Sequence, residues 1–145
     1  MDDLTEQEEE AWCAEQREEV AAYLASQDGL THGEIGEWPA WHVAPYVSIW
    51  AIESVVQPGA VGWWAIRGDL PGDYCSSTDR GHPRLALRHF AESWRREVER
   101  TADGAETIGG TGLPAHLAPL LQARAELLAK WADDDALWPD ELYGS

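Results

Sequence analysis

Residues 46–67 read YVSIWAIESVVQPGAVGWWAIR, and the fold turns on them. Two runs rich in β-branched and aromatic residues, 46–56 and 61–67, flank Gln57-Pro58-Gly59-Ala60, which is turn chemistry. The reading is an antiparallel hairpin. With Pro58 and Gly59 as the loop residues, Val47, Ile49, Ala51, Glu53 and Val55 share a face with Gly62, Trp64 and Ile66, because side chains alternate along a strand. The other face carries Tyr46, Ser48, Trp50, Ile52 and Ser54 with Val61, Trp63, Ala65 and Arg67. This register sets Trp50 across from Arg67, within reach of a cation–π contact. Pro-Gly favours a type II turn, whose twist suits a tight hairpin poorly, so a longer loop is the alternative. A one-residue slip would exchange the faces. The mainly aliphatic face, with Trp64, is expected to meet the helices. Trp63 belongs to a mixed aromatic and polar face that is either capped by the chain itself or left for a partner.

Outward from the hairpin, the elements alternate in type. Thr5 to about Ser26 is helical: Thr5 and Glu8 fit a capping box, and Trp12, Gln16, Val20, Tyr23 and Leu24 form a stripe in which Gln16 is the weak point. Residues 31–45, with glycines, prolines, Trp38 and Trp41, read as a structured connection. After Leu70-Pro71-Gly72 a third short strand is expected at 73–76. Pro83 opens a helix to about Thr101 with a Leu87, Phe90, Ala91, Trp94 and Val98 stripe. A glycine-rich loop precedes a last helix, from Pro114 or Pro119 to about Ala132, with Leu117, Leu120, Leu121, Arg124, Leu128 and Trp131 on one side. The tail is expected to pack back through Leu137, Trp138, Leu142 and Tyr143. The expected architecture is a single α+β domain over 1–145: a small antiparallel sheet packed with about three helices.

The 145 residues carry 27 acids against 10 bases, a net charge of −17. Such a charge repels nucleic-acid phosphates and anionic lipid, and favours capture of a basic protein partner. No stretch approaches the roughly 18 apolar residues of a membrane span, and the acidic start is the reverse of a signal peptide. Cys13 and Cys75 have no metal-site spacing. A reduced, cytoplasmic protein is expected.

Candidate chemistry is sparse. Asp73, Cys75, Asp79 and His82 could line a pocket near residues 68–82, and Cys75, Asp79, His82 and His89 could be drawn into a nucleophile–base–orienter set. The string YCSSTDRGHP matches no nucleophile elbow. His89 and Glu92 form one helical pair at three-residue spacing, with no second pair to complete a metal site. Asp69, Asp73 and Asp79 bracket a turn without a calcium-loop pattern. TIGGTG, residues 107–112, lacks the lysine of a phosphate-binding loop. No metal and no cofactor is expected.

The runs APYVSIWAIES, PGAVGWWAIRGDLPGDY and HPRLALRHFAESW, with LAPLLQARAELLAKWADDDALW, resemble a bacterial family classified as a domain of unknown function. The resemblance covers about residues 38–138, and its most specific part is Gly62 to Tyr74. It implies no activity and no catalytic residues. The functional expectation is a small acidic binding protein, in the manner of an immunity-type inhibitor of a bacterial toxin, engaging a partner through Trp50, Trp63, Arg67 and Tyr46. The alternatives are an enzyme or small-ligand binder at residues 68–82, and a homo-oligomer that buries the Trp63 face against itself.

Overall fold

The computed structural model describes residues 4–27, 29–101, 104–108 and 113–138. Its strands are β1 (Trp41–Val43), β2 (Val47–Glu53), β3 (Val61–Gly68) and β4 (Leu70–Ser76); its longer helices are α1 (Glu6–Ala25), α2 (Pro83–Arg100) and α3 (Ala118–Ala132). The strands form one antiparallel sheet in the order β1-β2-β3-β4. The protein is therefore α+β, as the hairpin and the helical stripes lead one to expect. The chain divides into two units, Met1–Ala86 and Leu87–Ser145.

In the first unit the hairpin register differs from the two-residue-turn reading. Trp50 pairs with Ala65, Ser48 with Arg67, and Ile52 with Trp63, so each β2 residue from Val47 to Ile52 meets a β3 residue two positions earlier than expected, and Glu53, paired with Val61, one three positions earlier. The cause is the loop. It spans Ser54–Ala60, closed by Ser54 N–H donating to the Ala60 carbonyl at 2.8 Å, and the register slips at Ile52/Glu53. Two residues are one strand period, so the composition of the faces survives from Val47 to Ile52.

The third strand begins at Leu70 rather than 73, because the β3–β4 reversal takes almost no chain. Gly68 makes this possible: its φ is +151°, and a Cβ there would sit 2.2 Å from the Tyr46 carbonyl oxygen. Across that tight approach Asp69 N–H donates to the same oxygen at 2.9 Å. The connection before the hairpin supplies β1, which the sequence pattern did not show. Upstream of it, residues 33–36 run along the same edge of β2, with an Ile35–Ile52 bridge and Gly33 and Gly36 N–H donating to the Glu53 and Ala51 carbonyls.

Helix α1 starts where its capping box does. The Thr5 hydroxyl accepts from Glu8 N–H at 3.1 Å and the Glu8 carboxylate accepts from Thr5 N–H at 3.0 Å. Its buried stripe is Cys13, Gln16, Val20 and Leu24, and it lies on β2 and β3. Val20 and Leu24 pack with Trp50, Ile52 and Ala65. Gln16 is a designed polar point in that stripe: its carbonyl oxygen lies 3.4 Å from the Ser48 hydroxyl, which accepts the Trp50 indole N–H at 2.9 Å. Buried polar groups need such partners. His42 of β1 pairs with Glu9 of α1. On the other face Val47, Ile49, Trp64 and Ile66 are also buried, and the Trp64 indole donates to the Arg80 carbonyl at 2.7 Å.

In the second unit Leu87, Phe90, Ala91 and Trp94 of α2 are buried. A short 3-10 turn at Ala115–Leu117 leads into α3. The α3 stripe is rotated from the expected one: Leu121, Ala125, Leu128 and Ala132 are buried, while Leu120 is exposed. Arg88 reaches the Ala132 carbonyl and Asp133. Beyond α3, Trp138 is buried with its indole N–H on the Trp131 carbonyl at 3.0 Å. Leu142, Tyr143 and Gly109–Gly112 lie outside the described residues.

Candidate functional site

The aromatic face expected to meet a partner lies under α1. Trp50 is fully buried, so of the two outcomes expected for this face it shows the covered one, and its neighbour across the sheet is Ala65 rather than the expected Arg67. The Arg67 guanidinium instead donates to Glu19 of α1 at 2.9 Å. Trp63 is half-buried: it meets Tyr74 edge-on at 5.7 Å, and Tyr74 meets Tyr23 edge-on at 6.2 Å. Burial first, then the nearby Asp73 carboxylate and Tyr74, push the Tyr23 hydroxyl pKa up, with Arg67 opposing. Trp63 is therefore partly covered by Tyr74 and packs against the core cluster of Val20, Leu24, Trp50, Ile52 and Ala65. Tyr46 lies at the β1–β2 turn, at the border of exposure, with its N–H on the Val43 carbonyl at 2.7 Å.

The residues of the alternative pocket each serve local structure. Cys75 is buried opposite Trp64 on β4. Burial pushes its thiol up to about 12, with Arg80 pulling it down and Asp73 adding to the rise, so it is a thiol and not a nucleophilic thiolate at neutral pH. Asp73 accepts from Tyr74 N–H at 2.8 Å. Asp79 is exposed in a left-handed turn conformation, φ +63°. His82 Nδ1 accepts from Arg84 N–H at 3.0 Å at the start of α2. Among the described residues no group of three or more His, Cys, Asp or Glu is placed to hold a metal ion.

A different place gathers charge. An open groove of about 610 Å³ lies at the turn end of the hairpin. Glu34 and Glu37 from the edge segment and Glu53 from β2 line it, with Arg17 of α1 and Val61 of β3. Arg17 is committed to the scaffold: Nε donates to the Gly36 carbonyl and a terminal nitrogen to the Ile35 carbonyl, both at 2.9 Å. These bonds pin the Glu34–Glu37 segment to α1. The Glu53 carboxylate is held by Gly59 N–H at 2.9 Å. The backbones here approach closely because two glycines allow it: a Cβ on Gly33 would lie 2.8 Å from the Glu53 oxygen, and one on Gly62 2.8 Å from Ser54 Cα. The floor of the groove is thus set by closely packed backbone, with the glutamate side chains standing along it.

Sequence reading passed over these residues because they come from four separate segments. Two signals were available. GEIGEW, residues 33–38, sets two glutamates around Ile35-Gly36 and next to Trp38, and Glu53 is the single charged residue in the apolar run of β2.

An antiparallel sheet crossed by an acidic helix, followed by a helical unit, defines the chain as an α+β protein whose charged groove is built on the sheet edge. A family model described as "Domain of unknown function (DUF4826)" matches residues 6–138, and the chain belongs to that family. The match takes in α1, beyond the 38–138 span of the resemblance drawn from the hairpin and the later helices. No curated protein and no solved structure matches the chain. Among the described residues no helix is long and apolar enough to cross a membrane.

Proposed function

We propose that this is a binding protein that takes a basic segment of a protein partner into the groove between Glu34, Glu37 and Glu53. The observation that carries the reading is the gathering of three carboxylates in one open groove whose only guanidinium among the lining residues is already bonded to backbone carbonyls. The negative charge of the whole chain supports it by steering a cationic partner inward. Inhibition of a basic bacterial toxin in a reducing cytoplasm is the form of partnership we favour. It suits the charge, and it suits Cys13 and Cys75, which are both free and buried. The pocket at residues 68–82 finds less support, since Cys75 is buried and Asp73 and His82 serve as local acceptors.

The test compares two variants of equal net charge. Glu34→Gln/Glu37→Gln/Glu53→Gln removes the groove carboxylates; Glu10→Gln/Glu15→Gln/Glu18→Gln removes three from the exposed side of α1. Each is titrated calorimetrically with a peptide in which Lys alternates with Leu. The groove variant is expected to bind about tenfold or more weakly than the control, the equivalent of about 1.4 kcal/mol. Equal weakening by both would show diffuse attraction to an acidic protein and overturn the reading.

A further inference from the structure

The loop that closes the hairpin is exposed and apolar at its tip, yet firmly built. Val56 is 90% exposed and Val55 51%. Exposed valines in a mobile loop would be unremarkable, but here the backbone is fixed. The Ser54 hydroxyl accepts from Val56 N–H at 3.2 Å and Gln57 N–H at 3.1 Å. Ala60 N–H donates to the Gln57 carbonyl at 3.1 Å. The Glu53 carboxylate takes Gly59 N–H, so one side chain both lines the groove and holds the loop. Continuing from the loop, Val61 is 38% exposed and lines the same groove. Trp38, one residue after Glu37, is 54% exposed. Of the seven large apolar side chains exposed among the described residues, four, Trp38, Val55, Val56 and Val61, thus lie next to the groove carboxylates along the chain.

From this arrangement we infer that Val55 and Val56 form a preorganised apolar anchor, and that the segment bound in the groove is amphipathic, with apolar side chains for the valines beside cationic ones for the glutamates. The inference rests on the proposed function and names its partner's chemistry. Preorganisation matters because a loop already ordered loses little entropy on binding. Apolar contact supplies affinity at the centre of an interface, while charge supplies rate and orientation. A second copy of this chain paired groove to groove is disfavoured as the occupant: it would bring three further carboxylates to a groove that already holds three, on molecules of net charge −17.

Two peptides test it, one alternating Lys with Leu and one alternating Lys with Ser, titrated into the wild-type protein and into Val55→Ser/Val56→Ser. Both valines are exposed, so the double variant is expected to fold; an unchanged far-ultraviolet circular dichroism spectrum and melting temperature check this. The wild type should bind the Lys–Leu peptide about tenfold more tightly than the Lys–Ser peptide, and the double variant should bind both alike. A single valine substitution, Val56→Ser, should produce part of the same loss. Equal affinity of the wild type for the two peptides, or a preference that survives both substitutions, overturns the anchor. The groove itself is judged separately. If the glutamine triple variant weakens the Lys–Ser peptide no more than the α1 control does, the proposed function fails; if it weakens that peptide and the valines do not matter, only the anchor fails.

Discussion

Ser48 shows how one side chain settles a helix against a sheet. It is fully buried, takes the Trp50 indole N–H, and stands between the Gln16 carbonyl oxygen and the Arg67 carbonyl. Ser48→Ala leaves the indole N–H and the Gln16 amide oxygen without that partner inside a packed interface, and should cost about 1–3 kcal/mol of stability by urea denaturation. Gln16 looked like a flaw in the α1 stripe because periodicity counts only apolar residues. The tryptophan that requires this polar chain lies on a strand 34 positions away, and nothing local announces it. Cys75 gives a second prediction at this scale. Its folded-state pKa is raised to about 12, whereas an unfolded thiol titrates near its usual value of about 8.5. Between those values the unfolded chain has lost a proton that the folded chain keeps, so stability falls as pH rises through that window. Alkylation of Cys75 by iodoacetamide at pH 8 should be slow in the folded protein and fast in urea; rapid native-state modification would contradict its burial.

At the scale of elements, α1 begins at a reciprocal cap. Thr5→Ala should cost about 0.5–2 kcal/mol, read from the thermal or urea midpoint. The Thr5 backbone N–H and hydroxyl hold the Glu8 carboxyl below the usual glutamate range. That contribution is present above the ordinary glutamate pKa of about 4.3 and is lost as pH falls through the lower folded value. Thr5→Ala should therefore be less destabilising, relative to wild type, in strong acid than at pH 7. The hairpin end makes a sharper prediction. Gly62→Ala would drive a Cβ to 2.8 Å from Ser54 Cα and should destabilise by about 1–3 kcal/mol, while Gly81→Ala, with nothing within 4 Å, should be close to neutral. How much could be read from the chain follows the range of the signal. The faces of β2 and β3 were legible because alternation is local and survives a two-residue shift. The register was not, because it depends on a seven-residue loop held by Ser54 and Glu53 rather than on Pro58-Gly59 alone. β1 was hidden because its edge is interrupted by glycines and prolines, and the groove because Arg17, Glu34, Glu53 and Val61 meet only after the sheet and α1 have formed.

At the scale of the molecule, charge is the leading property. Of the ten bases, only Arg17, Arg67, Arg80 and Arg84 fall in the first unit, and the groove, α1 and the sheet edge are all in that unit. Association with a cationic peptide should therefore be fast at low salt and should slow by about tenfold or more between about 20 mM and about 300 mM salt, as the Debye length shortens. Stopped-flow tryptophan fluorescence, with Trp38 exposed beside the groove, can follow it. Dissociation, governed by apolar contact, should change much less. The most direct test of the central claim is to map backbone amide chemical shifts by NMR while the Lys–Leu peptide is added. The account predicts perturbations concentrated at residues 34–38 and 53–61, with the exposed acidic side of α1 largely unmoved. Shifts spread along Glu6–Glu18, with residues 34–38 and 53–61 unaffected, would contradict it.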